Sequence, residues 1–194
     1  MGSSERKQRQ KQALRESILH TAQHIAKQEG WECVTIRRIA SAVEYSTPVI
    51  YEHFAGKDAI LQELLLQGFR QLRTDLEAAK NQEQEPEKQL LAVSLACLTF
   101  VINHRELYQV MFGLEGIVPP AHPALDEIHL TFKVVEDVMD KVRQDQQADL
   151  FSLLDYWWCL VHGFISLRMK PGTTPGEKSY RILESYIVRF IKSL

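Results

Sequence analysis

The 194-residue sequence lacks a long hydrophobic run. Its most apolar stretch, Leu90 to Ile102, covers 13 residues and is interrupted by Ser94 and Thr99, short of the roughly 18–20 residues needed to cross a bilayer. No membrane partner is expected. The N-terminus, Met1-Gly2-Ser3-Ser4-Glu5-Arg6-Lys7, has no apolar segment of the kind a secretory signal requires, so a cytoplasmic location is expected. Cysteine is scarce: Cys33, Cys97 and Cys159 are odd in number, widely spaced and without a CxxC, which argues for reduced thiols rather than a disulfide or zinc framework. The sequence contains no P-loop, no GxGxxG, no GxSxG and no carboxylate pair within a supporting motif, so neither an enzyme nor a cofactor is expected. His20 and His24 form an i,i+4 pair, but HTAQH lacks the glutamate of HExxH and has no third ligand nearby. No metal site is expected.

Strand-like alternation is also missing, and helical periodicity fills its place. Leu14, Ile18, Ala22 and Ile25 form one stripe of a helix over residues 9–29, which Gly30 ends. Thr35 is placed to cap a short helix over 36–43, and Ser46 to cap another over 47–54 in which Pro48 falls in the first turn. A fourth helix starts at Lys57-Asp58 and runs to about Lys80, with Leu61, Leu64, Leu65, Leu72 and Leu76 at helical spacing. The polar stretch from Lys80 to Pro86 then interrupts the pattern. Helices are expected beyond it at 87–103, 104–112, 124–144, 148–168 and 175–193, with breaks at 113–123 and 171–176. The fold class is all-α: an N-terminal three-helix unit over 1–57, a connecting helix over 58–80 and a larger helical domain over 81–194.

The net charge is −2, yet Arg6, Lys7, Arg9, Lys11 and Arg15 face only Glu5 and Glu16, a basic excess at one end of the chain that suits phosphate. Two short amphipathic helices joined by about three residues, preceded by a long helix and this basic segment, make a helix-turn-helix unit. In such a unit the second helix enters the major groove by its N-terminal residues. Thr47, Pro48 and Val49 stand at that tip, where small side chains admit the base edges and an apolar surface meets thymine methyl groups. Tyr51, His53 and Lys57 supply an O–H, an imidazole and an ammonium on the flank for phosphate.

Thr35-Ile36-Arg37-Arg38-Ile39-Ala40, followed by Ser46-x-x-x-Ile50-Tyr51-x-His53-Phe54-x-x-Lys57-Asp58, resembles the N-terminal signature of TetR/AcrR-type transcriptional regulators over about residues 12–62. The resemblance implies a homodimeric regulator that binds double-stranded operator DNA and a small-molecule effector. Carried over by position, Thr35, Ser46, Thr47, Tyr51, His53 and Lys57 correspond to family contacts with phosphate or bases, and Arg37 joins them as a candidate. The sequence departs from the family at Glu44, where glycine is usual in the turn, and at Pro48, which removes an amide from the helix start. A helical ligand-binding or interaction protein of the same fold without specific DNA binding is the alternative those departures suggest.

In the C-terminal part, Trp158-Cys159-Leu160-Val161-His162-Gly163 resembles a W-x-x-x-H-G element of one subfamily. A helical glycine suits a crossing with a partner helix, so Trp158, His162 and Gly163 are expected at a dimer face built from the last two helices. Phe100, His104, Tyr108, Met111, Phe112 and Trp157 are candidates for an apolar effector pocket. The helix over 57–80 is expected to be the only element that starts at the DNA-binding unit and ends in the ligand domain.

Overall fold

The computed structural model describes residues 3–113, 125–144, 149–169 and 175–194. Those residues form α1 (Ser3–Glu29), α2 (Ile36–Ala42), α3 (Thr47–Tyr51), α4 (Lys57–Asn81), α5 (Pro86–Asn103), α6 (Arg105–Phe112), α7 (Leu125–Val142), α8 (Leu150–Ser166) and α9 (Glu177–Ile191), with a 3-10 turn at Trp31–Cys33. No strand occurs among them, as the periodicity requires. The expected breaks at 113–123 and 171–176 lie largely outside the described residues.

The first helix begins earlier than its apolar stripe. Arg6 and Lys7 are therefore exposed on the first turns of α1, ahead of the expected start at residue 9, and Arg9 and Lys11 are exposed further along it. Arg6 and Lys7 belong to no apolar stripe, so no hydrophobic period marked them as helical; straight-chain Arg, Lys and Gln are nonetheless good helix formers. Ile18, Leu19, Ala22 and Ile25 turn inward to meet Ile39, Ala40, Ile50 and Phe54 of the small unit.

Within the polar stretch 80–86, residues 82–85 form the turn between α4 and α5. Gln82 caps α4, Pro86 opens α5 at a position that needs no N–H, and α5 folds back along α4 in the most extensive helix pairing of the chain. α4 also packs on α6 and α7, and one apolar cluster runs without a gap from Ile18 to Phe190. Gly68 lets α4 and α6 meet closely: a Cβ there would stand 2.5 Å from the Met111 sulfur. α5 and α6 bend by 109° at His104. Among the described residues no single helix is long and apolar enough to cross a membrane.

Candidate nucleic-acid interface

The turn between α2 and α3 is built around Glu44, which adopts φ 59. The Tyr45 N–H reaches the Ala40 carbonyl at 3.0 Å and the Glu44 N–H reaches the Ser41 carbonyl at 3.3 Å, the paired bonds of a Schellman end to α2. The family's glycine would take this left-handed conformation freely; Glu44 takes it under strain. Glu44→Gly is expected to stabilise the fold by about 1 kcal/mol, seen as a higher urea midpoint with an unchanged m-value. An equal or lower midpoint would show that the turn carries no strain.

At the start of α2, the Thr35 hydroxyl accepts the Arg38 N–H at 3.2 Å, so this side chain already serves the fold. Ser46 occupies the equivalent position before α3 but its hydroxyl makes no capping bond. The reason lies in the next three residues. Pro48 has no N–H, and the Val49 N–H bonds to the Ser46 carbonyl at 3.0 Å, so no amide is left for the hydroxyl. Ser46 is exposed and its oxygen is available to an outside partner.

Ile50 and Phe54 are buried beneath α3, whereas Pro48 and Tyr51 are exposed and Thr47 and Val49 half-buried at its leading edge. Arg37 is exposed on α2, while Arg38 is tied to Glu29 and to the Cys33 carbonyl. The His53 Nδ1 is buried without a hydrogen-bond partner, which leaves Nε2 as the nitrogen for an external acceptor. A groove of about 700 Å³ separates the front of α1 from α3, with Lys11, Tyr45, Val49 and His53 on its walls.

Two cations are tied to the fold. Arg15, grouped with the basic segment, turns inward: it donates to the His53 carbonyl at 2.9 Å and to Glu63 at 2.6 Å, with its guanidinium 4.1 Å from the Phe54 ring centre. It clamps α1, α3 and α4 together and is unsuited to DNA. Lys57 donates to the Trp31 carbonyl at 2.8 Å. Neither Arg15's clamp nor Trp31 was legible in the sequence, because each joins residues far apart in the chain and follows no periodic signal. His20 and His24 are exposed with ring centres 6.5 Å apart, and no group of three metal-ligating side chains forms among the described residues.

The unit is a helix-turn-helix fused to a helical domain, and the sequence comparisons decide its relatives. The family model for bacterial regulatory proteins of the tetR family matches residues 18–64, and the Tetracyclin repressor-like C-terminal domain matches residues 90–190. The chain belongs to the TetR family. It is similar to the HTH-type transcriptional regulator UidR of Escherichia coli K12, 25% identical over 96% of this chain and 80% of that protein. It also shares its fold with a Rhodococcus protein (21% identity, TM-score 0.79, 93% and 95% of the two chains). The Bacillus subtilis regulator FadR, solved with stearoyl-CoA, matches at 12% identity and TM-score 0.73, covering 92% and 98%. As a TetR-family member the protein is a DNA-binding transcriptional regulator and not an enzyme.

The C-terminal half of this TetR-family chain sorts the remaining candidates. Phe100, Tyr108, Met111 and Trp157 are buried, and His104 and Phe112 half-buried. Phe100 and Trp157 belong to the core: the Trp157 indole donates to Ser94 Oγ at 2.8 Å, and Ser94 donates on to the Leu90 carbonyl at 2.6 Å. Met111 fills the contact over Gly68. Tyr108 and Phe112 meet Trp158 and His162 in a ring cluster, with centroid distances of 5.0 Å for Phe112–Trp158, 5.2 Å for Phe112–His162 and 4.9 Å for Trp158–His162. Trp158 and His162, expected at the dimer face, therefore pack toward α6. Their i,i+4 spacing stacks them on one side of α8, whereas beyond Gly163 a Cβ would meet nothing within 4 Å.

The Tyr108 hydroxyl and His162 Nδ1 are 2.7 Å apart. Burial holds the His162 pKa below its usual 6.5 and pushes the Tyr108 hydroxyl well above 10. On acidification the unfolded chain takes a proton near pH 6.5 that the folded imidazole resists, so stability falls as pH drops through that value and on through the lower folded pKa. His162→Gln, which keeps a hydrogen-bonding group but does not titrate, is expected to flatten the loss between about pH 7.5 and about pH 5 in urea titrations. An unchanged pH profile would show that His162 is not responsible. All three cysteines are free, and burial raises the Cys97 thiol to about 12, which keeps it protonated.

Proposed function

We propose that this regulator is a homodimeric repressor that leaves its operator when a small apolar or amphipathic molecule binds the C-terminal domain. The observation that carries the DNA side of this reading is the tip of α3. Ser46 has an uncommitted hydroxyl, Thr47, Pro48 and Val49 stand at the leading edge, and Tyr51 is exposed, while the opposite side of the helix is buried. A five-residue helix so arranged offers its first turn to base edges and its flanks to phosphates. Thr35, Arg37, His53 and Lys57 are the flanking phosphate candidates.

On the effector side, the half-buried rings of Phe112 and Trp158 lie against His162, which meets the Tyr108 hydroxyl at 2.7 Å and the Ser166 hydroxyl at 3.3 Å, an apolar surface with a few hydrogen-bonding groups. FadR, bound to stearoyl-CoA in its crystal structure, is a relative in fold whose ligand carries a long apolar chain. The effector of this chain is accordingly sought among apolar and amphipathic compounds. Two recognition helices in a two-fold dimer match an operator of inverted half-sites about one helical turn apart.

Selection from random duplex DNA tests the reading. Wild type is expected to return an inverted repeat, and Val49→Ala to change the preferred base at one position of each half-site by about 1–3 kcal/mol. Identical motifs from both proteins would remove α3's tip from base reading, and no enriched motif at all would favour a TetR-like fold without specific DNA binding.

A further inference from the structure

α4 is not the only bridge between the two halves of the chain. The Trp31 side chain is buried, and its indole N–H donates to the Glu106 carbonyl in the first turn of α6 at 3.2 Å. Gln23 of α1 donates to the carboxylate of the same buried Glu106 at 2.7 Å. The Trp31 carbonyl in turn accepts the Lys57 ammonium at 2.8 Å, at the first residue of α4. A single residue of the 3-10 turn thus holds the ligand domain with its side chain and a candidate phosphate cation with its backbone.

We propose that Trp31 is a positioning residue for DNA binding: its carbonyl fixes the Lys57 ammonium at the α1–α4 corner, and its indole fastens that corner to α6. The proposal rests on the reading of Lys57 as a phosphate contact. An ammonium has three donors; Trp31 takes one and leaves two for a phosphate oxygen. A lysine already held in place gives up less rotamer freedom when it meets the backbone of DNA.

α6 is the natural place from which to move this corner. Two residues after Glu106 it carries Tyr108, whose hydroxyl bonds to His162 of α8, and four residues further Phe112 joins the ring cluster. A compound that separates Tyr108 from His162 acts on the same short helix that carries the Trp31 contact. The indole bond, at 3.2 Å, is near the long end of the range for N–H···O bonds, so a shift of a few tenths of an ångström breaks it.

The experiment compares wild type, Trp31→Phe, Lys57→Ala and the double variant for binding to a mixed-sequence duplex over a range of salt concentrations. Lys57→Ala is expected to lower the salt slope by about one unit. Trp31→Phe keeps an aromatic ring but not the indole N–H. It is expected to weaken binding about two- to tenfold and to move the slope toward that of Lys57→Ala. In the Lys57→Ala background the same change at Trp31 should do neither. Partial unfolding would lower the active fraction without altering the slope, so the slope separates positioning from simple damage. If Trp31→Phe does not fold, Gln23→Met loosens α6 from α1 with Trp31 intact and is expected to give the same Lys57-dependent loss. A lowered slope in Lys57→Ala with an unaltered slope in the Trp31 or Gln23 variant overturns the positioning role alone. An unaltered slope in Lys57→Ala overturns the phosphate assignment and the positioning role together.

Discussion

Gly163→Leu is expected to stabilise the isolated chain while weakening operator binding by about a hundredfold or more. The two effects have different origins. Inside α8 a glycine costs about 1 kcal/mol of helix propensity relative to alanine, most of which leucine recovers. A Cβ at this position meets no described atom beyond its own stretch of helix within 4 Å, so the fold has room for the start of the new side chain. The same face of α8 carries exposed Cys159, and Phe151, Tyr156 and Leu167 are also exposed along the helix. If α8 and α9 pair with a second copy there, leucine forces the helices apart. Each protomer then holds DNA with one recognition helix, and the avidity of two linked sites, of the order of 10² or more, is lost. Sedimentation should show monomer where a dimer is expected for the wild type, with the helical content retained. A variant that stays dimeric with unchanged operator affinity would remove Gly163 from the interface.

The second large effect is expected in the core. Trp157→Ala should destabilise the chain by about 3–5 kcal/mol, because it empties the volume of a fully buried indole and takes the N–H from Ser94. Trp157→Phe should cost much less, since the phenyl ring refills most of the emptied volume and Ser94 keeps its bond to the Leu90 carbonyl. Denaturant unfolding distinguishes these outcomes from an effector-contact role. A loss below about 1 kcal/mol for the alanine variant, with altered effector response, would return Trp157 to the pocket.

Spacing alone identified α2, α4 and α5, because each has one face of Ile, Leu or Val at intervals of three and four that must be buried. It also located the α2–α3 turn, while the resemblance to the family, which usually has glycine there, marked Glu44, the residue that takes φ 59. The match of Tyr51-x-His53-Phe54-x-x-Lys57 to the family signature carried the function, which no hydrophobic pattern encodes.

Three assignments needed the tertiary structure. Arg15 and Arg9 look alike in sequence, yet Arg15 turns inward to a carbonyl, a carboxylate and an aromatic ring while Arg9 is exposed. Trp158 and His162 are neighbours of Gly163, but a helix rotates by about 100° per residue, so the pair packs on α6 while the glycine faces open space. The Trp31 bridge joins residues 75 positions apart on one side and 26 on the other. Local sequence determines which helices form and which of their faces is apolar. The partners of isolated polar groups depend on how those helices dock, because a lone indole, amide or ammonium has no periodicity and acquires its role only from the group that the fold brings within about 3 Å.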